Sequence, residues 1–189
     1  MGSSHEAPGN AAATVAQVQE ASIDDPGQLR TVFGCFATGV TVVTVGGGNP
    51  HGMTANSFTS VSVHPPLILV CVQQDATMHD ALLASGSFAV SVLAAHQEGV
   101  ARYFANRRRP LGIAQFDAVE WSPGAQTGAP VIHGSVAWLE CGLWRTYDGG
   151  DHSIFIGHLL SMGRREDGGA LLFVSGRFRQ LPAGRNIQT

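Results

Sequence analysis

Gly52-Met53-Thr54-Ala55-Asn56-Ser57-Phe58-Thr59-Ser60-Val61-Ser62 sets hydroxyl, amide and small side chains along one stretch of backbone without a formal charge. Small side chains let backbone N–H groups approach a ligand, so such a stretch can hold an anion or the polar edge of a heteroaromatic ring. The plainer reading is a Thr/Ser-rich strand that uses those groups in cross-strand hydrogen bonds. A second stretch, Gly149-Gly150-Asp151-His152-Ser153-Ile154, has two glycines for a tight turn and puts an acid and an imidazole at the start of a strand. His152 could donate to a bound dinucleotide or pass a proton, since an ordinary imidazole titrates near pH ~6.5; the alternative is an Asp/His pair that only closes the turn. A third, Leu171-Leu172-Phe173-Val174-Ser175-Gly176-Arg177-Phe178-Arg179, reads as a final strand and a glycine bend that aims Phe178. That ring could stack on a flat ligand or pack into the core.

Other chemistries find no support. There is no Walker loop, no G-x-G-x-x-G after a strand, no H-E-x-x-H and no G-x-S-x-G. Cys35, Cys71 and Cys141 are odd in number and widely spaced, without the paired ligands of a metal site, and each sits in an apolar segment. Buried free thiols in a reducing, cytoplasmic setting are expected. A net charge of −3 offers no field for nucleic acid. The one basic run, Arg107-Arg108-Arg109 before Pro110, is read as a solvated turn, with a phosphate or pyrophosphate contact as the alternative. No apolar run is long enough to cross a membrane. Only 13% of residues are charged, against about 25% in ordinary soluble proteins, so a partner subunit is expected to hide part of the surface, and a homodimer is the expected state.

These stretches need elements to position them. Residues 1–21 read as a mobile arm, 22–182 as one domain and 183–189 as a tail. Asp24-Asp25-Pro26 starts a helix whose apolar stripe is Leu29, Val32, Phe33 and Phe36, ended by Gly39. Strand signals follow at residues 40–45, 51–62, 67–72, 88–93, 131–144, 153–160 and 170–174. Short helices are expected at 77–83 and 97–106, and a loop over 107–129. Helices do not alternate with strands, which argues against a doubly wound parallel sheet and for a mainly β, antiparallel barrel of six or seven strands.

Taken together, the sequence resembles the flavin reductase-like family, whose fold is the FMN-binding split β-barrel, an antiparallel Greek-key type. The matching residues are Phe36-Ala37-Thr38-Gly39-Val40-Thr41-Val42-Val43-Thr44, the 53–62 stretch, Pro65-Pro66-Leu67, Ser85-Gly86-Ser87-Phe88-Ala89-Val90-Ser91-Val92-Leu93, Gly150-Asp151-His152, Leu172-Phe173 and Gly176-Arg177-Phe178. The likeness spans residues 29–181. It implies a reductase component that passes hydride from NADH to free FAD or FMN, with a lean to FAD, and supplies reduced flavin to a flavin-dependent monooxygenase.

The resemblance also implies the site. Met53, Thr54, Ala55, Asn56 and Ser57 would line the flavin, and Val72 and Gln73 would touch it. Thr77 and Met78 match the place where the family binds the flavin phosphate, although Ala76 stands where many members have Ser. Phe104 matches a further flavin-side position. Asp151, His152, Ser153 and Ile154 match the nicotinamide dinucleotide segment, and Phe178 would close over the site, from the neighbouring subunit if not its own. The remaining alternatives are a tight-binding FMN oxidase on the same barrel, a non-catalytic flavin-binding module, and a structural barrel with no flavin affinity.

Overall fold

The computed structural model describes residues 19–183; the arm expected at residues 1–21 and the tail at 183–189 lie almost wholly outside them. The first helix, α1 (Pro26–Phe33), starts as the sequence predicts. The Asp25 carboxylate accepts the N–H groups of Gly27 at 2.7 Å and Gln28 at 3.4 Å, and Pro26 occupies the first turn. It ends at Gly34 rather than Gly39, because Thr38 and Gly39 leave the helix to pair as a strand with Phe173 and Leu172. The apolar stripe also does not enter the core: α1 buries no residue, and Phe33 and Phe36 stay exposed.

Twelve strands form among the described residues, more than the six or seven expected. Seven make the main antiparallel sheet: β2 (Thr41–Val45), β3 (His51–Ala55), β4 (Thr59–Ser62), β5 (Leu67–Gln73), β6 (Ser87–Val92), β9 (Ala137–Gly149) and β10 (His152–Arg164). Their spatial order is β3-β2-β6-β9-β10-β5-β4. Three short or late strands, β1 (Thr38–Gly39), β11 (Ala170–Val174) and β12 (Arg177–Leu181), form a second sheet, and β7 (Trp121–Pro123) pairs with β8 (Pro130–Ile132). The strand signal read at 131–144 is therefore two elements, β8 and β9.

β2 explains its own composition. All five of its residues are buried, Val43 and Val45 packing with Phe88 and Phe155, while Val42 packs with Phe104, Phe116 and Leu171 in a second cluster. A strand covered on both faces reads as a continuous β-branched run rather than an alternation. The second cluster is roofed by α3 (Glu98–Ala105), and α2 (Thr77–Ser85) sends Met78 and Leu82 into the first.

Residues 51–62 do not form one strand region. They break after Ala55, and β3 and β4 lie at opposite edges of the sheet. Ser57 ties the gap: its Oγ accepts the Cys71 N–H at 3.0 Å and donates to the Cys71 carbonyl at 2.9 Å. One hydroxyl thus stands in for a missing pair of ladder bonds at the split. The thiols differ from expectation too. Cys141 is buried, with its thiol pushed up to about 12 by desolvation and by Glu140, but Cys35 is exposed.

Candidate functional site

A cavity of about 430 Å³ opens where β3, the end of β5, the start of α2 and the end of α3 meet. Met53, Thr54, Ala55, Asn56 and Ser57 all line it, as do Gln73, Thr77, Met78, Phe104 and His152. The Thr/Ser stretch and the Asp-His turn, nearly a hundred positions apart in sequence, therefore wall one space. The register explains this: β10 pairs with β5 so that His152 lies opposite Gln73. The turn is also stitched to the β5–α2 corner, where the Gln74 N–H donates to the Asp151 carbonyl at 3.0 Å and its side-chain amide to the Gly150 carbonyl at 3.1 Å.

Other expected residues stand behind the wall. Val72 points into the barrel core and Ile154 is half-buried between its strand partners. The Ser153 hydroxyl lies 2.9 Å from the His79 imidazole nitrogen. Asp151 is exposed and touches His152 rather than the cavity. Phe178 packs edge-on against Phe173, with ring centroids 5.2 Å apart, beneath the Arg102 guanidinium; it does not line the cavity of its own chain.

Each polar group has a defined commitment. The Thr54 hydroxyl donates to the Ala101 carbonyl at 2.6 Å, fixing α3 to β3, and the Ser57 hydroxyl is committed to Cys71. Ligand contacts from these two are thus limited to remaining lone pairs, while Asn56 stays exposed. Gly52 lets α3 approach, since a Cβ there would sit 2.7 Å from the Phe104 ring. His152 Nδ1 lies 2.7 Å from the Asp151 carboxylate. A carboxylate only accepts, so Nδ1 carries the hydrogen and Nε2 is free for a ligand. That hydrogen bond, with the imidazole's charge, holds the Asp151 carboxyl below its ordinary range.

Sequence reasoning missed His51 and favoured a solvated turn for the Arg107–Arg109 run, with a phosphate contact as the alternative; His51, Arg107 and Arg109 all line the cavity. Arg109 is not in a solvated turn: it is 9% exposed, and its guanidinium donates to the carbonyls of Asn106 and Gly52 and to His51. Burial, and then the Arg109 charge, lower the His51 pKa to about 4. Gln115, fully buried, accepts the Gly52 N–H at 2.9 Å and donates to the Pro50 and Gly112 carbonyls. The signal was there in the form of a polar Gln115 flanked by apolar residues, which needs buried partners.

Comparison with known proteins agrees with the geometry. A family profile described as a flavin reductase like domain matches residues 33–182. An NADH-dependent FAD reductase from Streptomyces globisporus is 58% identical over 154 residues, covering 82% of this chain and 85% of that protein. The crystal structure of BorF, the flavin reductase component of a bacterial two-component tryptophan halogenase, superposes with a TM-score of 0.82 at 61% identity, over 85% of this chain and 100% of that one. A Streptomyces globisporus NADH:FAD oxidoreductase, in complex with NAD and FAD fragments, superposes with a TM-score of 0.83 at 50% identity, over 91% of this chain and 100% of that one. With its mainly antiparallel split barrel and a profile match over most of its length, the chain belongs to the flavin reductase-like family.

Proposed function

We propose that the chain is an NADH-dependent flavin reductase that passes hydride from C4 of the nicotinamide to N5 of free FAD, with FMN as a lesser substrate. The reduced flavin then leaves to serve a flavin-dependent monooxygenase or halogenase. The observation that carries this reading is the single cavity walled by both residues 53–57 and His152. The cofactors supply the redox chemistry, and the protein must hold two flat rings about 3–3.5 Å apart and aligned. That task calls for no acid–base triad, and the Ser153–His79–Asp80 contacts lie outside the residues that line the cavity. Residues 53–57 and Phe104 flank the flavin ring, Thr77 and Met78 lie at its phosphate end, and His152 holds NADH through its free Nε2, with Asp151 fixing the tautomer.

The chain acts as a homodimer on this reading. Helix α1 leaves Val32 and Phe33 uncovered, and Trp144, Tyr147, Leu160 and Met162 expose apolar surface along the β9–β10 hairpin; surface of this kind is what a second subunit covers. Phe178, away from its own cavity, then serves the cavity of the neighbouring subunit. Among the described residues no helix is long and apolar enough to cross a membrane, in keeping with a cytoplasmic enzyme. A steady-state assay following NADH absorbance with excess FAD, FMN and riboflavin in turn tests the proposal. Many turnovers with free FAD are expected. A yellow protein unable to reduce added flavin would point to a resident-FMN enzyme instead, and flavin binding without NADH oxidation to a non-catalytic module.

A further inference from the structure

Arg109 carries a charge with no counter-charge. Its side chain is buried, lines the cavity, and pairs with no carboxylate among the described residues. Its partners are all neutral: Gln115 Oε1 at 3.4 Å, the Asn106 carbonyl at 2.9 Å, the Gly52 carbonyl, and His51 Nε2 at 3.2 Å. Of the five guanidinium hydrogens, four are placed, and one on Nη1 has no acceptor among the described residues. His51 adds a donor rather than a compensating charge. Its Nε2 faces a guanidinium that can only donate, so its Nδ1 keeps a hydrogen, and this too has no partner among the described residues. Arg107, the next cation of the run to line the cavity, makes an exposed hydrogen bond to Gln73 at 3.1 Å and a long contact to Asp75 at 4.0 Å, and such exposed contacts cost little to exchange. A buried cation is costly unless an anion pairs with it, and here the open side of the cation is the ligand cavity.

We propose that Arg109, with His51 Nδ1 beside it and Arg107 at the cavity mouth, is a cationic seat for a phosphate group of the flavin substrate, additional to the Thr77–Met78 corner that Arg107 also reaches through Gln73 and Asp75, and so a part of the site that favours phosphorylated flavins over riboflavin. This rests on the reading that flavin occupies this cavity. Pairing with the phosphate neutralises Arg109, and the neutral His51 can donate to the same group without adding a second charge.

The test compares KM for FAD, FMN and riboflavin in the wild type, Arg109→Gln and Arg109→Lys. In Arg109→Gln the FAD KM is expected to rise about tenfold or more, with riboflavin changed by less than about twofold, as the loss of one charge-assisted contact predicts. Arg109→Lys should fall between. A parallel rise for FMN assigns the seat to the phosphate nearest the ring, and a rise for FAD alone assigns it to the second phosphate. Riboflavin lacks phosphate and reports on the fold, so an equal rise for all three flavins, or a rise in the NADH KM alone, overturns the proposal. Should Arg109→Gln not fold, inorganic pyrophosphate added to the wild type must compete with FAD and not with riboflavin, and failure to do so also overturns it. A wild type that reduces no flavin at all refutes the functional reading itself, a separate result.

Discussion

The two walls of the cavity are built differently. The β3 wall rests on the buried rings of Phe104 and Phe116, and its polar groups are locked to one another through Thr54, Gln115, His51 and Arg109. The opposite wall is the tip of a hairpin. Residues 148–151 are exposed, and Gln74 supplies two of the hydrogen bonds that hold the tip. On the proposed reading this asymmetry gives preorganisation where the flavin ring would be held during hydride transfer and easy access where NADH would enter. Mutations should therefore separate cleanly, with stability lost from one wall and NADH recognition from the other.

Gln115→Ala should give the largest effect. It strands the Gly52 N–H and the Pro50 and Gly112 carbonyls in a buried place, a loss of about 3 kcal/mol or more. Urea unfolding measures it directly, and a change below ~1 kcal/mol would mean that the two walls are equally loose. Acid probes the same wall. His51 titrates near 4 in the folded chain rather than 6.5. Between those values the unfolded chain binds a proton that the folded one refuses, so stability falls as pH drops through that window, by up to about 3 kcal/mol. Above it His51 is neutral in both states and contributes no slope. Unfolding of wild type and Arg109→Gln at pH values across the window should show a shallower slope in the variant, because the guanidinium charge is one of the two causes of the shift.

The hairpin wall should respond in the other way. His152→Ala removes a half-exposed side chain whose Nδ1 partner is itself exposed, so unfolding should change by less than ~0.5 kcal/mol. The NADH KM is expected to rise about tenfold, with the flavin KM changed less than about twofold. Small and equal shifts in both would take His152 out of the site and erase the contrast between the walls.

Sequence legibility follows the same division. The Thr/Ser stretch, the Asp-His turn and most of the strand segments were readable, because each is carried by local composition. What stayed hidden depends on partners remote in sequence. Nothing in residues 51–62 announces the break after Ala55, because the Ser57 hydroxyl replaces the ladder by reaching Cys71. Three consecutive arginines look alike, and only the loop's return onto β3 buries Arg109 and leaves Arg108 exposed. β12 escaped notice because its hairpin turn places Ser175 at φ 49° ahead of Gly176 at φ 73°, a left-handed pair that Asn-Gly would have signalled more clearly. The helix stripe at Val32 and Phe33 misled because α1 buries none of its apolar residues among the described residues.

The central claim is that both flat rings occupy one slot together before hydride moves and free flavin departs. Initial rates of NADH oxidation over a grid of NADH and FAD concentrations test it most directly. Double-reciprocal lines that intersect are the predicted result, since both substrates must be bound at once. Parallel lines would mean that NADH reacts and leaves before free FAD enters, and would contradict the account.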